Sequence, residues 1–127
     1  MGAAPSFVTG WPRIVLRLEG AALMAAASFV YWREGGGWLY FAALFLAPDL
    51  SFAAYLFGPR AGAVFYNLAH ATLGPLTVTA AGLLAPSGLL ALIGLVWLAH
   101  VGSDRMLGYG LKYGSAFGDT HLGRIGR

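Results

Sequence analysis

Apolar residues run through this chain in four long blocks, each ended by a short cluster of glycine, proline or charge. A membrane-crossing helix needs about 20 mostly apolar residues. The first block predicts one over 14–32, with Arg17 and Glu19 in its opening turns. The run Arg33-Glu34-Gly35-Gly36-Gly37 closes it, because three glycines cannot hold a helix against their backbone entropy. A second helix is expected over 38–57, opened by the interfacial aromatics Trp38 and Tyr40 and carrying Asp49 inside. Gly58-Pro59 ends it. A third follows over 61–84, then a tight uncharged turn, Ala85-Pro86-Ser87-Gly88, and a fourth helix over 89–106. The remainder, 107–127, is a glycine-rich tail too polar and too broken to cross a membrane. The pattern therefore predicts an all-α, polytopic membrane protein: a single domain of four transmembrane helices in a bundle with a Gly-rich C-terminal tail.

Composition agrees. Of 127 residues, 58% are hydrophobic and 10% charged, with a mean hydropathy of +0.69, whereas soluble domains carry about 25% charged residues. The net charge of +3 is too small and too scattered to mark a nucleic-acid surface, so nucleic acid is not an expected partner and the lipid bilayer is. Arg13, Arg17, Arg60, Arg105, Lys112, Arg124 and Arg127 fall on one side of a four-helix topology, leaving Arg33 on the other. By the positive-inside rule both termini and the tail face the cytoplasm. Met1 to Pro12 lacks the basic start and compact apolar core of a signal peptide, so the first helix is expected to act as an uncleaved anchor. Cysteine is absent, which excludes disulfides, thiol nucleophiles and cysteine-type zinc sites.

The candidate chemistry lies in the few ionisable residues inside the apolar blocks, which are costly there and by default functional. At about 1.5 Å of rise per residue, Asp49 lies roughly 12 Å deep, His70 about 14 Å, His100 about 9 Å and Glu19 about 8 Å from the cytoplasmic end, with Asp104 one turn below His100. His100 and Asp104 are four apart and share a helical face, as do Asn67 and His70, three apart. Two histidines and two carboxylates converging from three helices suit a divalent metal, with zinc first and manganese or iron as alternatives. The expected ligands are Asp49, His70, His100 and Asp104. Glu19 is the candidate general base or fifth ligand, with Asn67, Arg17 and Arg105 behind the ligands. The blander alternatives are an ion pair of Asp49 with Arg17 or Arg60, a neutral His70 bonded to a carbonyl, and a mutual His100–Asp104 bond. In the tail, Tyr109, Tyr113 and Phe117 alternate with glycines around Lys112, as expected of a segment folded back over the cytoplasmic mouth or of an anion clamp. His121 is a further candidate ligand.

The segments LEGAAL (18–23), LAPDLSFAAYLFGPRAGAVFYNLAH (46–70), LAHVGSDRMLGYGLKY (98–113) and FGDTHLGRIGR (117–127) resemble the bacterial family catalogued as domain of unknown function 4260. That resemblance implies a four-helix membrane protein without an assigned activity; the expected location is the bacterial inner membrane. A more distant similarity links Pro48-Asp49, His70, and His100 with Asp104 to the membrane-bound metal-dependent hydrolases. Ser51 replaces that family's second aspartate, and Phe65-Tyr66 replaces its His-Arg pair. The implied function is a metal-dependent hydrolase acting on a lipid-like substrate. The alternatives are a homodimeric proton-coupled transporter, similar in outline to the small multidrug transporters, and an accessory subunit of a larger membrane complex.

Overall fold

A computed structural model describes residues 6–85 and 87–125. Pro86 of the expected turn and Arg127 of the basic set lie outside the described residues. The fold is all-α apart from one small hairpin. Helix α1 spans Gly10–Arg33 and α2 spans Trp38–Phe45; a 3-10 helix, Ala47–Phe57, continues α2. Then come α3 (Pro59–His70), α4 (Leu73–Leu84) and α5 (Gly88–Leu107). The tail folds into a two-stranded antiparallel hairpin, β1 (Asp119–Thr120) with β2 (Gly123–Arg124). Three helical stretches, Gly10–Arg33, Trp38–Phe57 and Gly88–Leu107, are long and apolar enough to cross a membrane. Their outward residues include Leu39, Leu56 and Phe57, all more than four-fifths exposed. Such a surface suits lipid, not water.

Two of the expected helices are not continuous, and proline explains both. Proline cannot donate a backbone hydrogen bond, and its ring clashes with the carbonyl four residues earlier. Pro48 acts on Leu44: α2 stops at Phe45 and the chain tightens into the 3-10 helix, where Asp49 N–H donates to the Leu46 carbonyl at 3.1 Å. Pro75 acts on Ala71. The third expected helix is therefore two, with Ala71 in extended geometry (φ −77°, ψ 151°) between α3 and α4.

Helix α5 is the axis. It packs along α1 on one side and α4 on the other, while α3 packs on the 3-10 helix. Its Leu95, Val96, Leu98 and Ala99 form the core with Ala27 and Tyr31 of α1. The α1–α5 contact is close because Gly20 and Gly102 lie in it. A Cβ on Gly102 would stand 2.6 Å from the Met24 nitrogen and 2.7 Å from the Gly20 oxygen, and one on Gly20 would stand 2.7 Å from the Gly102 oxygen. Small residues let membrane helices pack backbone to backbone in this way.

Backbone atoms cannot rotate aside as a side chain can. Gly102→Ala is therefore expected to destabilise the protein by about 1–3 kcal/mol, read as a lowered midpoint in detergent unfolding. Gly88→Ala, with nothing within 4 Å of its added methyl, is the control and should leave the midpoint in place.

Candidate metal centre

The two proline breaks set the positions of two of the four candidate ligands. Asp49 follows Pro48 directly, on the first turn of the 3-10 helix. His70 is the last residue of α3, one position before the break that Pro75 imposes. The break also frees carbonyls, and neighbours take them up. Trp97 Nε1 donates to the Ala69 carbonyl, and Arg105 donates to the His70 carbonyl at 2.7 Å. His100 and Asp104 come from one face of α5, four residues apart.

The structure brings these four side chains to a single point. His70 Nε2 lies 3.2 Å from Asp49 Oδ1, 3.4 Å from Asp104 Oδ2 and 3.1 Å from His100 Nε2. His100 Nε2 lies 3.3 Å from each of the same carboxylate oxygens. All four atoms fall within 4.8 Å of one another, so the group could hold a metal ion. The two imidazoles are buried, the Asp104 side chain is 15% exposed and that of Asp49 39%.

Second contacts fix the rings. His70 Nδ1 donates to the Tyr66 carbonyl at 2.9 Å, and a carbonyl only accepts, so Nδ1 carries the hydrogen. In the neutral ring Nε2 is then a bare lone pair directed at the other three ligand atoms, the arrangement a metal-binding histidine needs. Tyr66 stacks on the same ring, centroids 3.7 Å apart and 7° from parallel, while Phe45 meets the His100 ring edge-on at 5.0 Å. His100 Nδ1 is buried beside the Phe45 backbone, outside full hydrogen-bond geometry.

A family described as "Domain of unknown function (DUF4260)" matches residues 13–125. The chain belongs to the DUF4260 family. No curated protein and no solved structure matches it.

Other expectations for this DUF4260 chain place differently. Glu19 is exposed and outside the cluster. Gly20 faces α5, and one residue is about 100° of helical turn, which carries the exposed Glu19 off that face. Arg17 donates to the Met106 carbonyl at 2.8 Å, tying α1 to the end of α5 rather than orienting a ligand. Asn67 is turned to the tail: its Nδ2 donates to the Lys112 carbonyl at 2.9 Å and its Oδ1 accepts the Lys112 N–H at 2.7 Å. Arg105 does stand behind a ligand, through the His70 carbonyl. Asp49 faces the histidines and pairs with neither Arg17 nor Arg60.

The tail covers this end of the bundle. Gly108, at φ 90°, caps α5 in the left-handed region and turns the chain back. Tyr113 Oη then donates to the Ser6 carbonyl, Val8 N–H to the His121 carbonyl, and Arg13 to the Leu122 carbonyl, so the tail and the start of the chain lie on one side. His121 is a fastener here, not a ligand: its Nδ1 accepts from Leu111 N–H at 2.8 Å. Burial, and then the charge of Arg105, push its imidazole below the ordinary range. Lys112 was the residue sequence reasoning undervalued. It is the single lysine of the sequence, between glycines and aromatics, and it is 5% exposed.

Two predictions follow from the fasteners. Asn67→Ala removes both bonds to Lys112 and should raise amide exchange across 108–125, with a local cost of about 1–3 kcal/mol. The lowered His121 pKa gives a sign: below about pH 6.5 the loosened tail takes up the proton more readily than the folded one. Tail stability is then present above that pH and falls as pH drops towards the folded value. The Leu111 amide, corrected for intrinsic exchange, should lose protection on acidification in the native chain and show a flatter pH response in His121→Gln.

Proposed function

We propose that this protein is a membrane-embedded metalloprotein holding a divalent cation on Asp49, His70, His100 and Asp104. One observation carries the reading. A four-coordinate ion with bonds of 2.0–2.1 Å sets its ligand atoms about 3.3 Å apart. Five of the six separations among these four atoms are 3.1–3.4 Å. Direct hydrogen bonding serves this arrangement poorly, since a proton on one nitrogen answers one or two of those separations. A cation at the centre answers all of them. Its double charge also offsets two carboxylates that would otherwise be costly beside buried imidazoles.

The donor set, two imidazoles and two carboxylates without sulfur, favours zinc and also suits manganese or iron. The hydrolytic reading extends the same site. A hollow of about 300 Å³ lies against Asp49 and Asp104, room for a substrate beside the ion, and bound water would be the nucleophile. Glu19, exposed on α1, is not its base; the more open carboxylate, Asp49, is the candidate. Arginine placement supports an orientation with the centre, the tail and both termini towards the cytoplasm of a bacterial inner membrane.

The test is metal content. Protein purified in mild detergent without chelator should carry close to one zinc, manganese or iron per chain by mass spectrometry. His70→Ala and His100→Ala should each lose it, with a larger drop than the roughly 10–100-fold typical of an outer contact. Asp104→Asn, which keeps shape, guards against loss through misfolding. Absence of metal from folded wild-type protein, even after zinc is added back, would sink the proposal.

A further inference from the structure

The hollow beside the metal centre carries a cation of its own. Asp49 and Asp104 line it together with the aromatic Phe52, Tyr66 and Phe117 and with Lys112. The Lys112 ammonium donates to the Phe117 carbonyl at 2.7 Å, which uses one of its three hydrogens. It sits over the faces of Phe117 at 3.7 Å and Tyr66 at 4.9 Å. Among the described residues it makes no ion pair: neither carboxylate is within 4.0 Å. A buried cation thus shares a hollow with two carboxylates without pairing with either. Burial pushes its ammonium down to about 8, opposed by the charge of Asp104.

Once a dication cancels the two carboxylates, Lys112 is the net charge of the hollow. Resting on the metal reading above, we propose that this hollow binds a phosphate-type oxyanion, one oxygen towards the metal and another accepting from Lys112. Such an oxyanion has oxygens to spare for both partners, and charge-assisted bonds of this kind are strong. The aromatic sides suit an apolar group attached to it. The same chemistry occurs in free phosphate and in the headgroup of an anionic lipid. Lys112 is held for the task through its backbone, both polar atoms of which are bonded by Asn67.

The experiment uses zinc-loaded full-length protein in phosphatidylcholine nanodiscs, titrated calorimetrically with inorganic phosphate. Parallel nanodiscs containing some phosphatidic acid are analysed for lipid retained by the protein. Wild type should bind phosphate, Lys112→Met should bind it at least about tenfold more weakly with zinc content unchanged, and Lys112→Arg should keep most of the affinity. Retention of phosphatidic acid over phosphatidylcholine, displaced by phosphate, supports a headgroup as occupant; phosphate binding without such retention supports a free phosphate compound. Zinc retained with no phosphate bound, or equal binding by Lys112→Met, overturns this inference and leaves the metal reading standing. Retention of none of zinc, manganese or iron overturns both.

Discussion

Proline's missing N–H shapes this molecule more than any attractive contact. Pro48, inside a stretch long enough to cross a membrane, and Pro75, in the first turn of α4, each forbid the carbonyl four residues back its usual partner. An unsatisfied carbonyl in such surroundings is expensive, so the chain must rearrange or find a donor. It does both. The α2 helix tightens into a 3-10 helix, α3 and α4 separate, and Trp97 and Arg105 from α5 donate to the last carbonyls of α3. Irregular backbone at these breaks brings two polar side chains, Asp49 and His70, to the surface of α5 where His100 and Asp104 stand.

The cluster in turn depends on a rigid axis. Helix α5 is held on the α1 side by backbone-to-backbone packing at Gly20 and Gly102, and its Leu95, Val96, Leu98 and Ala99 supply four of the six residues of the buried cluster there. Distances of 3.1–3.4 Å among four side chains from three elements require each ring to be fixed independently. Tyr66 does this for His70 by stacking and by its carbonyl; Phe45 lies against His100. The supporting residues are thus aromatic and backbone groups rather than the second polar layer that Asn67 and Arg17 would have supplied.

The tail converts an exposed end into a walled one. Its hairpin is closed by Asp119, which accepts from Arg124 at 2.8 Å and from Ser115 at 2.7 Å and is thereby held below the usual carboxylate range. It is stitched to the chain start through Ser6, Val8 and Arg13, and to α3 through Asn67. These bonds are mostly side chain to backbone, so they fix where the tail runs while leaving its side chains for other uses. Lys112 is the one they leave in the hollow that Asp49 and Asp104 also line.

What the sequence determined by itself is the part that is local or compositional. Apolar length gave the helices and their approximate ends, the glycine and proline clusters gave the turns, and the scarcity of ionisable residues in apolar blocks pointed to Asp49, His70, His100 and Asp104. The i,i+4 spacing of His100 and Asp104 placed both on one face because helix geometry is fixed. The breaks at Leu46 and Ala71 were legible too, since each lies within four residues of a proline, but hydropathy averages over them. Only the tertiary structure decided which polar residues meet. The sequence puts Glu19 and Asn67 at the expected depth of the cluster, and depth says nothing about rotation around a helix axis. That rotation is set by the Gly20–Gly102 contact for α1 and by the tail for Asn67. Lys112 entered the site through a fold-back whose register rests on hydrogen bonds between residues far apart in the chain, which no local pattern encodes.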